Sequence, residues 1–304
     1  VIWKPTNLTP ASAVAFAEII HRQGMPEGTF NLVLGGGSSV GDALINSKDI
    51  DAVSFTGSVP TGRKVAAATA PNFVRCQLEM GSKNALVIAD DADLQVAIDA
   101  AVAGAFGGSG QKCTASSRLI VMDSIHDAFV DGVVAKMKTL KVGHALDEGI
   151  FMGPVVDDKQ LASNLDWIEK AKQSGANLAF GGERLDMSHD GYYMSPTLFT
   201  ETDNSWDVNQ EEVFAPMACV MRVSSLEEAI AMTNDTRFGL TGGIITQSLR
   251  NSAMFKEQVQ AGCVMVNLAT AGTDYHVPFG GRKQSSFGPR EQGQYAKEFY
   301  TIVK

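Results

Sequence analysis

One cysteine and one glutamate stand out for the chemistry they could do. Cys113 lies in Gly110-Gln111-Lys112-Cys113-Thr114-Ala115-Ser116-Ser117-Arg118, with Gly107 and Gly108 just upstream. Small residues on both sides let the backbone come close to a bound group. A helix beginning here would lower the thiol pKa through its N-terminal amides and yield a nucleophile. A buried, inert thiol is the competing reading. Glu79 interrupts an apolar run in Gln77-Leu78-Glu79-Met80-Gly81-Ser82-Lys83-Asn84. At a strand end and out of water its pKa would rise and suit a general base; facing solvent on an edge strand it would be ordinary. Phe55-Thr56-Gly57-Ser58 joins a strand to a helix. There Gly57 permits a tight turn, Ser58 caps the helix or donates to a phosphate, and Gly62 allows close helix–strand packing. Gly35-Gly36-Gly37 is a second glycine-rich turn. Neither is a G-x-G-x-x-G, and both also read as plain turns.

The elements that would carry these residues alternate. Helical periodicity covers 11–23, ended by Gly24, Pro26 and Gly28. Strands are expected over 30–34, 52–55 and 76–80, with helices over 38–45 and from Ser58 to about Ala68. Beyond lie a helix over 93–106, a strand over 118–122, and helices over 124–140 and 158–174. A polar loop or hairpin follows at 186–193. A strand over 218–222 precedes a helix over 225–234 that opens on Ser225 with Glu227 and Glu228 in its first turn. A strand over 263–268 and a helix around 292–300 complete the pattern, which is that of an α/β protein with a parallel sheet.

With 304 residues, 44% hydrophobic and 19% charged, the chain can bury a large core, and its length suggests roughly two domains of about 150 residues. The net charge of −9 and the lack of a basic stripe argue against a nucleic-acid partner. Lys136, Lys138 and Lys141 read as one solvated helix face. No apolar run reaches the ~18 residues of a membrane span. Cys76, Cys113, Cys219 and Cys263 form no C-x-x-C pair, so neither zinc nor any other metal is expected, and reduced thiols in the cytoplasm fit best.

Six segments occur in order: Trp3-Lys4-Pro5, Phe55-Thr56-Gly57-Ser58, Leu78-Glu79-x-Gly81-x-Lys83, Gly110-Gln111-x-Cys113, Glu211-Glu212-x-Phe214-x-Pro216 and Pro278-Phe279-Gly280-Gly281. In this the chain resembles the aldehyde dehydrogenase superfamily, from Val1 to Lys304. The resemblance implies a partial Rossmann-type cofactor domain over 1–81, an α/β catalytic domain over 82–284, and a segment over 285–304 that returns to the cofactor domain. It makes Cys113 the nucleophile and Glu79 the general base. Lys4 would hold the adenosine ribose, and Gly57 and Ser58, with Gly62, the pyrophosphate. Glu212 would hold the nicotinamide ribose beside Phe214. Thr114, Asn267 and Phe279 would shape the substrate pocket. The implied reaction is NAD- or NADP-dependent oxidation of a small aldehyde to an acid through a thioester on Cys113. A dimer or tetramer is implied for the full-length protein.

The chain also departs from the family pattern. It begins at Val1, after the place where the family supplies a second oxyanion donor, so a fragment of reduced activity is expected. Ser82 and Ala215 stand where glycines are common, and Ile302 where some members have a second glutamate. Asn7, three residues after Lys4, is neutral where NAD-preferring members often carry Glu, which implies tolerance of NADP. The segments around Glu79, Cys113 and 271–293 most resemble the α-ketoglutaric semialdehyde (2,5-dioxovalerate) dehydrogenases, with Thr273, His276 and Arg282 as candidate anchors for an acidic substrate. Two other readings compete: a CoA-acylating aldehyde dehydrogenase, and a catalytically silent relative that binds or supports.

Overall fold

The structure is a computed structural model that describes residues 1–304, and it divides into two compact units. The first comprises Val1–Phe55 and Pro60–Cys76. In it β1 (Ile2–Trp3) pairs in parallel with β2 (Asn31–Leu32). Between them runs α1 (Pro10–Arg22), which opens with Pro at its first position, where a missing N–H costs nothing. Trp3, Phe16 and Phe30 meet as an aromatic cluster with centroids 5.8–6.4 Å apart. The helix expected over 38–45 is a π-turn at Gly37–Gly41 running into the short α2 (Asp42–Ile45). β3 (Ala52–Thr56), α3 (Val59–Thr69) and β4 (Arg75–Glu79) follow, and β4 ends in the second unit.

The second unit, Thr56–Val59 with Gln77–Lys304, is built on a seven-stranded sheet in the order β11-β10-β5-β6-β9-β8-β7. Its strands are β5 (Asn84–Ile88), β6 (Ser116–Met122), β7 (Asn177–Phe180), β8 (Thr197–Thr200), β9 (Met217–Val223), β10 (Thr241–Ile245) and β11 (Cys263–Val266). All pairings are parallel except β7 with β8. Every residue of β5 is buried, as expected where helices cover both faces. One face packs against α4 (Leu94–Phe106) and α5 (His126–Met137); the other against α8 (Leu226–Asn234) and α9 (Leu249–Gln258). Around α6 (Asp158–Gln173) lies a third apolar cluster. Helix α4 starts where the Asp93 carboxylate accepts the N–H groups of Gln95 and Val96, and it ends at Gly107. The short α7 (Asp207–Gln210), β12 (Ser286–Phe287) and α10 (Tyr295–Tyr300) complete the fold.

Several boundaries differ from expectation. The helix expected over 124–140 is shorter, because its first residues form a 3-10 turn and Lys138 closes it. Lys136 is not simply solvated: it pairs with Asp99 on α4. Strand β11 stops at Val266 because Asn267 turns left-handed, φ 58°. The last helix starts at Tyr295, since Gln292 and Gly293 both have positive φ. Strand β10 escapes a sequence reading because Thr241-Gly242-Gly243 looks like a turn. Glycine is needed there for packing: a Cβ on Gly243 would lie 2.8 Å from a Leu86 methyl. No helix is long and apolar enough to cross a membrane.

Candidate active site

Cys113 sits in the loop between α4 and β6, and no helix begins at it. The expected helical lowering of its pKa is therefore absent. Burial pushes the thiol up to about 11, with the charges of Glu212 and Glu79 adding to the effect and its own backbone N–H opposing it. The loop is reached through three consecutive left-handed residues, Gly108, Ser109 and Gly110. A Cβ on Gly110 would fall 2.1 Å from the Ala215 carbonyl, so only glycine fits.

Four successive carbonyls hold this loop. Lys112 O accepts from the Ala115 N–H. Asn84 Nδ2 donates to Cys113 O (2.8 Å) and Ala115 O (2.9 Å), and Thr270 Oγ1 donates to Thr114 O (2.7 Å). Asn84 is itself fixed, its Oδ1 accepting from Ser82 Oγ (2.7 Å) and the Thr241 N–H (3.0 Å). With its neighbours' carbonyls engaged on the protein side, the Cys113 peptide has one orientation. Neither Asn84 nor Thr270 was expected from sequence. A polar residue opening the apolar run at 84–88 is a signal for the first; Thr270 carries none.

Glu79 closes β4 and is 2% exposed. Burial raises its pKa to about 7, against the lowering influence of a hydrogen bond from Ser286. Strand β12 pairs antiparallel with β4, placing Ser286 opposite Glu79. The Gly57 N–H donates to Glu79 O (3.0 Å), which ties the Thr56–Val59 turn to this strand end.

Glu212 accepts the Ser82 N–H (3.0 Å), and burial raises its pKa. Gly81 makes room for it: a Cβ there would sit 2.1 Å from Glu212 Oε2. Ser82 uses its hydroxyl on Asn84. Phe214 adopts φ 59° and is partly exposed. Lys83 is buried beside these groups, and burial lowers its pKa to about 8. The Lys83 carbonyl accepts from Nε of the fully buried Arg118, whose other nitrogens donate to Asn204, Met232 and Thr233. A cleft lined by Lys83, Asn84, Lys112, Ala115, Glu212 and Phe214 adjoins the Cys113 loop.

The other expected residues are placed as follows. Thr114 is buried at 8% exposure. Asn267 lies just past β11, and its side-chain oxygen accepts the Thr246 N–H. Phe279 exchanges two backbone hydrogen bonds with Glu291, both 2.8 Å. Ser58 precedes α3, and Gly62 is buried within it. In the first unit, Lys4 Nζ donates to Pro5 O (2.8 Å) and Gly35 O (3.2 Å), while Asn7 is exposed.

The model of the aldehyde dehydrogenase family matches residues 1–304. The chain is 40% identical over 306 residues to the alpha-ketoglutaric semialdehyde dehydrogenase of Bacillus subtilis (strain 168), covering 100% of this chain and 63% of that protein. It is 38% identical over 305 residues to a betaine aldehyde dehydrogenase of Rhizobium johnstonii, covering 100% of this chain and 62% of the relative. Among solved structures, an NAD-dependent aldehyde dehydrogenase from Sinorhizobium meliloti superposes with a TM-score of 0.97 at 31% identity, over 100% of this chain and 60% of that one. An NAD+ complex of the Bacillus cereus aldehyde dehydrogenase superposes at 0.96 with 36% identity, over 100% and 61%. The chain thus spans 62–63% of the length of these curated relatives. On its sequence, its fold and the order of its motifs, it belongs to the aldehyde dehydrogenase family.

Proposed function

We propose that this chain carries the reaction centre of an NAD(P)-dependent aldehyde dehydrogenase, with Cys113 as nucleophile and Glu79 as general base. The observation that carries the proposal is a thiol in a clamped loop, acted on by the carboxylates of buried Glu79 and half-buried Glu212, the former poised near neutral pH. A carboxylate with that proton affinity suits proton transfer at physiological pH. Glu79 takes the Cys113 thiol proton and passes it to solvent; Sγ then bonds to the aldehyde carbon, and the carbonyl oxygen becomes an oxyanion that the Cys113 N–H stabilises. One such donor is typically worth about 10²–10³ in rate. The nicotinamide cofactor that Glu212 and Phe214 would hold would supply the hydride acceptor, and Cys113 would then carry the acyl group as a thioester. Water then adds to the thioester carbon as Glu79 takes its proton. The C–S bond breaks, and the acid departs.

The residues present suit a dinucleotide. Lys4 and Asn7 are assigned to the adenosine ribose, Gly57, Ser58 and Gly62 to the pyrophosphate, and Glu212 and Phe214 to the nicotinamide ribose. The half-buried Glu212 is held by one backbone N–H, as a carboxylate reserved for hydroxyl donors would be. Neutral Asn7 fits acceptance of NADP as well as NAD. On this reading residues 1–81 belong to the dinucleotide-binding domain, 82–284 to the catalytic domain and 285–304 to a C-terminal segment. Thr114, Asn267 and Phe279 border the substrate. A short dicarbonyl acid such as 2,5-dioxovalerate is the proposed substrate, supported by the names of the B. subtilis relative and of the Saccharolobus solfataricus 2,5-dioxopentanoate dehydrogenase. The Thr273 hydroxyl is buried without a partner and offers a donor to its distal carboxylate. The assembled enzyme is read as a cytoplasmic homo-oligomer.

The test is mass spectrometry of the protein mixed with aldehyde and NAD, alongside reduced-nicotinamide absorbance. A covalent acyl adduct on Cys113, and its loss together with turnover in Cys113→Ser, is the expected result. Turnover that survives Cys113→Ser would sink the proposal.

A further inference from the structure

We propose that Ser286 is the positioning residue of Glu79: its hydroxyl fixes carboxylate oxygen Oε2 and leaves Oε1 to take up the proton. The inference rests on the reading of Glu79 as the base. Its geometry is specific. Ser286 Oγ lies 2.6 Å from Glu79 Oε2 and 2.6 Å from the Gly281 N–H. A serine hydroxyl has one hydrogen to give. Because Oγ accepts from the Gly281 amide, that hydrogen goes to the carboxylate.

Oε1, by contrast, is buried and has no hydrogen-bond partner. It rests against the chain at Gly280, where a Cβ would come within 2.9 Å of it. A buried, unpartnered carboxylate oxygen is costly to keep unless something occupies its lone pairs in the working state. The attacking water is the group that fits. Its O–H bond breaks and its oxygen joins the acyl carbon. The proton goes to Oε1, and the electron pair of the C–S bond returns to Cys113. Ser286 keeps its own proton throughout.

The holder is one hairpin, closed by the paired backbones of Phe279 and Glu291 and buttressed by Arg290 Nη1 donating to Gly281 O at 2.8 Å. The charged and titratable groups that act on Glu79 are Glu291 and Arg290 from this hairpin, Cys263 from β11 and Cys113 from the nucleophile loop. Glu291 favours the protonated acid and Arg290 the anion. The Ser286 hydrogen bond favours the anion more than either charge acts, so its removal strengthens proton binding.

The test is an NMR titration of the whole chain carrying isotope-labelled glutamate carboxyls, with Glu79→Gln identifying the Glu79 signal. Ser286→Ala is expected to raise the Glu79 midpoint by roughly one unit, the effect of losing one charge-assisted hydrogen bond. Ser286→Thr, which keeps the hydroxyl, should titrate as wild type. If Ser286→Ala does not fold, Ser286→Gly makes the same comparison. An unchanged midpoint in a folded variant lacking the hydroxyl overturns the assignment. The acid limb of the pH–turnover profile should move upward with the midpoint. A shifted midpoint together with undiminished turnover in Glu79→Gln would leave the hydrogen bond standing and remove Glu79 as the base.

Discussion

In the first compact unit only Ala13, Gly62, Val65 and Thr69 are buried, whereas the second holds three apolar clusters around a seven-stranded sheet. Leu8, Val14, Phe16 and Ile19, on or beside α1, are each more than a third exposed. Both units carry residues assigned to chemistry, but of different kinds. Cys113, Glu79 and Glu212 lie in the second unit, braced by bonds from Asn84, Thr270, Ser286 and Ser82. Lys4 and Asn7 lie in the first, on an extended entry segment with few partners. Bond-making groups need placement to a fraction of an ångström, because a displacement of about 1 Å can cost roughly 10²-fold in rate. Groups that grip the far end of a long ligand tolerate a looser frame.

Hydrogen exchange should show the difference at its largest. Amides of β5, β6, β9 and β10 should exchange roughly a thousandfold more slowly than those of α1, β1 and β2, since protection follows buried contact. Equal protection across both units would break the comparison. Core truncation comes next. Phe129→Ala, at a fully buried position, should cost about 3–5 kcal/mol in denaturant unfolding. Its counterpart Phe16→Ser, at a half-exposed position beside Trp3 and Phe30, should cost about 1 kcal/mol or less.

Glu79→Gln sharpens the comparison further, because it separates rigidity from charge. The folded chain keeps the Glu79 proton up to about pH 7, while the ordinary value is 4.5. Between those values the folded state binds more protons than the unfolded one, so stability falls as pH rises through that window. Removing the charge should therefore add on the order of 2 kcal/mol of unfolding free energy at about pH 8, and nothing at about pH 4. Urea unfolding at the two pH values reads it. A variant that differs from the wild-type chain by the same amount at both pH values would mean that Glu79 ionises freely in the folded chain.

Much of the fold is legible in the sequence because its signals are local. The Asp93 cap and the alanine-rich run after it specify α4, and Ser225 with its two acidic neighbours specifies α8. Failures fall where tertiary packing overrides the local signal, as in β10, whose Gly243 serves close contact with Leu86. At the site, Cys113 and Glu79 stand out by residue type and by motif. Asn84, Thr270 and Ser286 do not, since they act through hydrogen bonds to residues 29 to 207 positions away.

By itself, then, the sequence determined the family, the alternation of strands and helices, and which thiol and carboxylate the proposed function assigns to chemistry. Each is written in composition, short-range periodicity or ordered motifs. Only the tertiary structure decided the proton affinities. No helix begins at Cys113, so burial and two carboxylates raise its thiol instead of helix amides lowering it. Burial raises Glu79 to about 7, and the hydrogen bond from Ser286 on β12 opposes that rise. Desolvation and long-range hydrogen bonds depend on which distant segments meet, and a linear string does not contain that information.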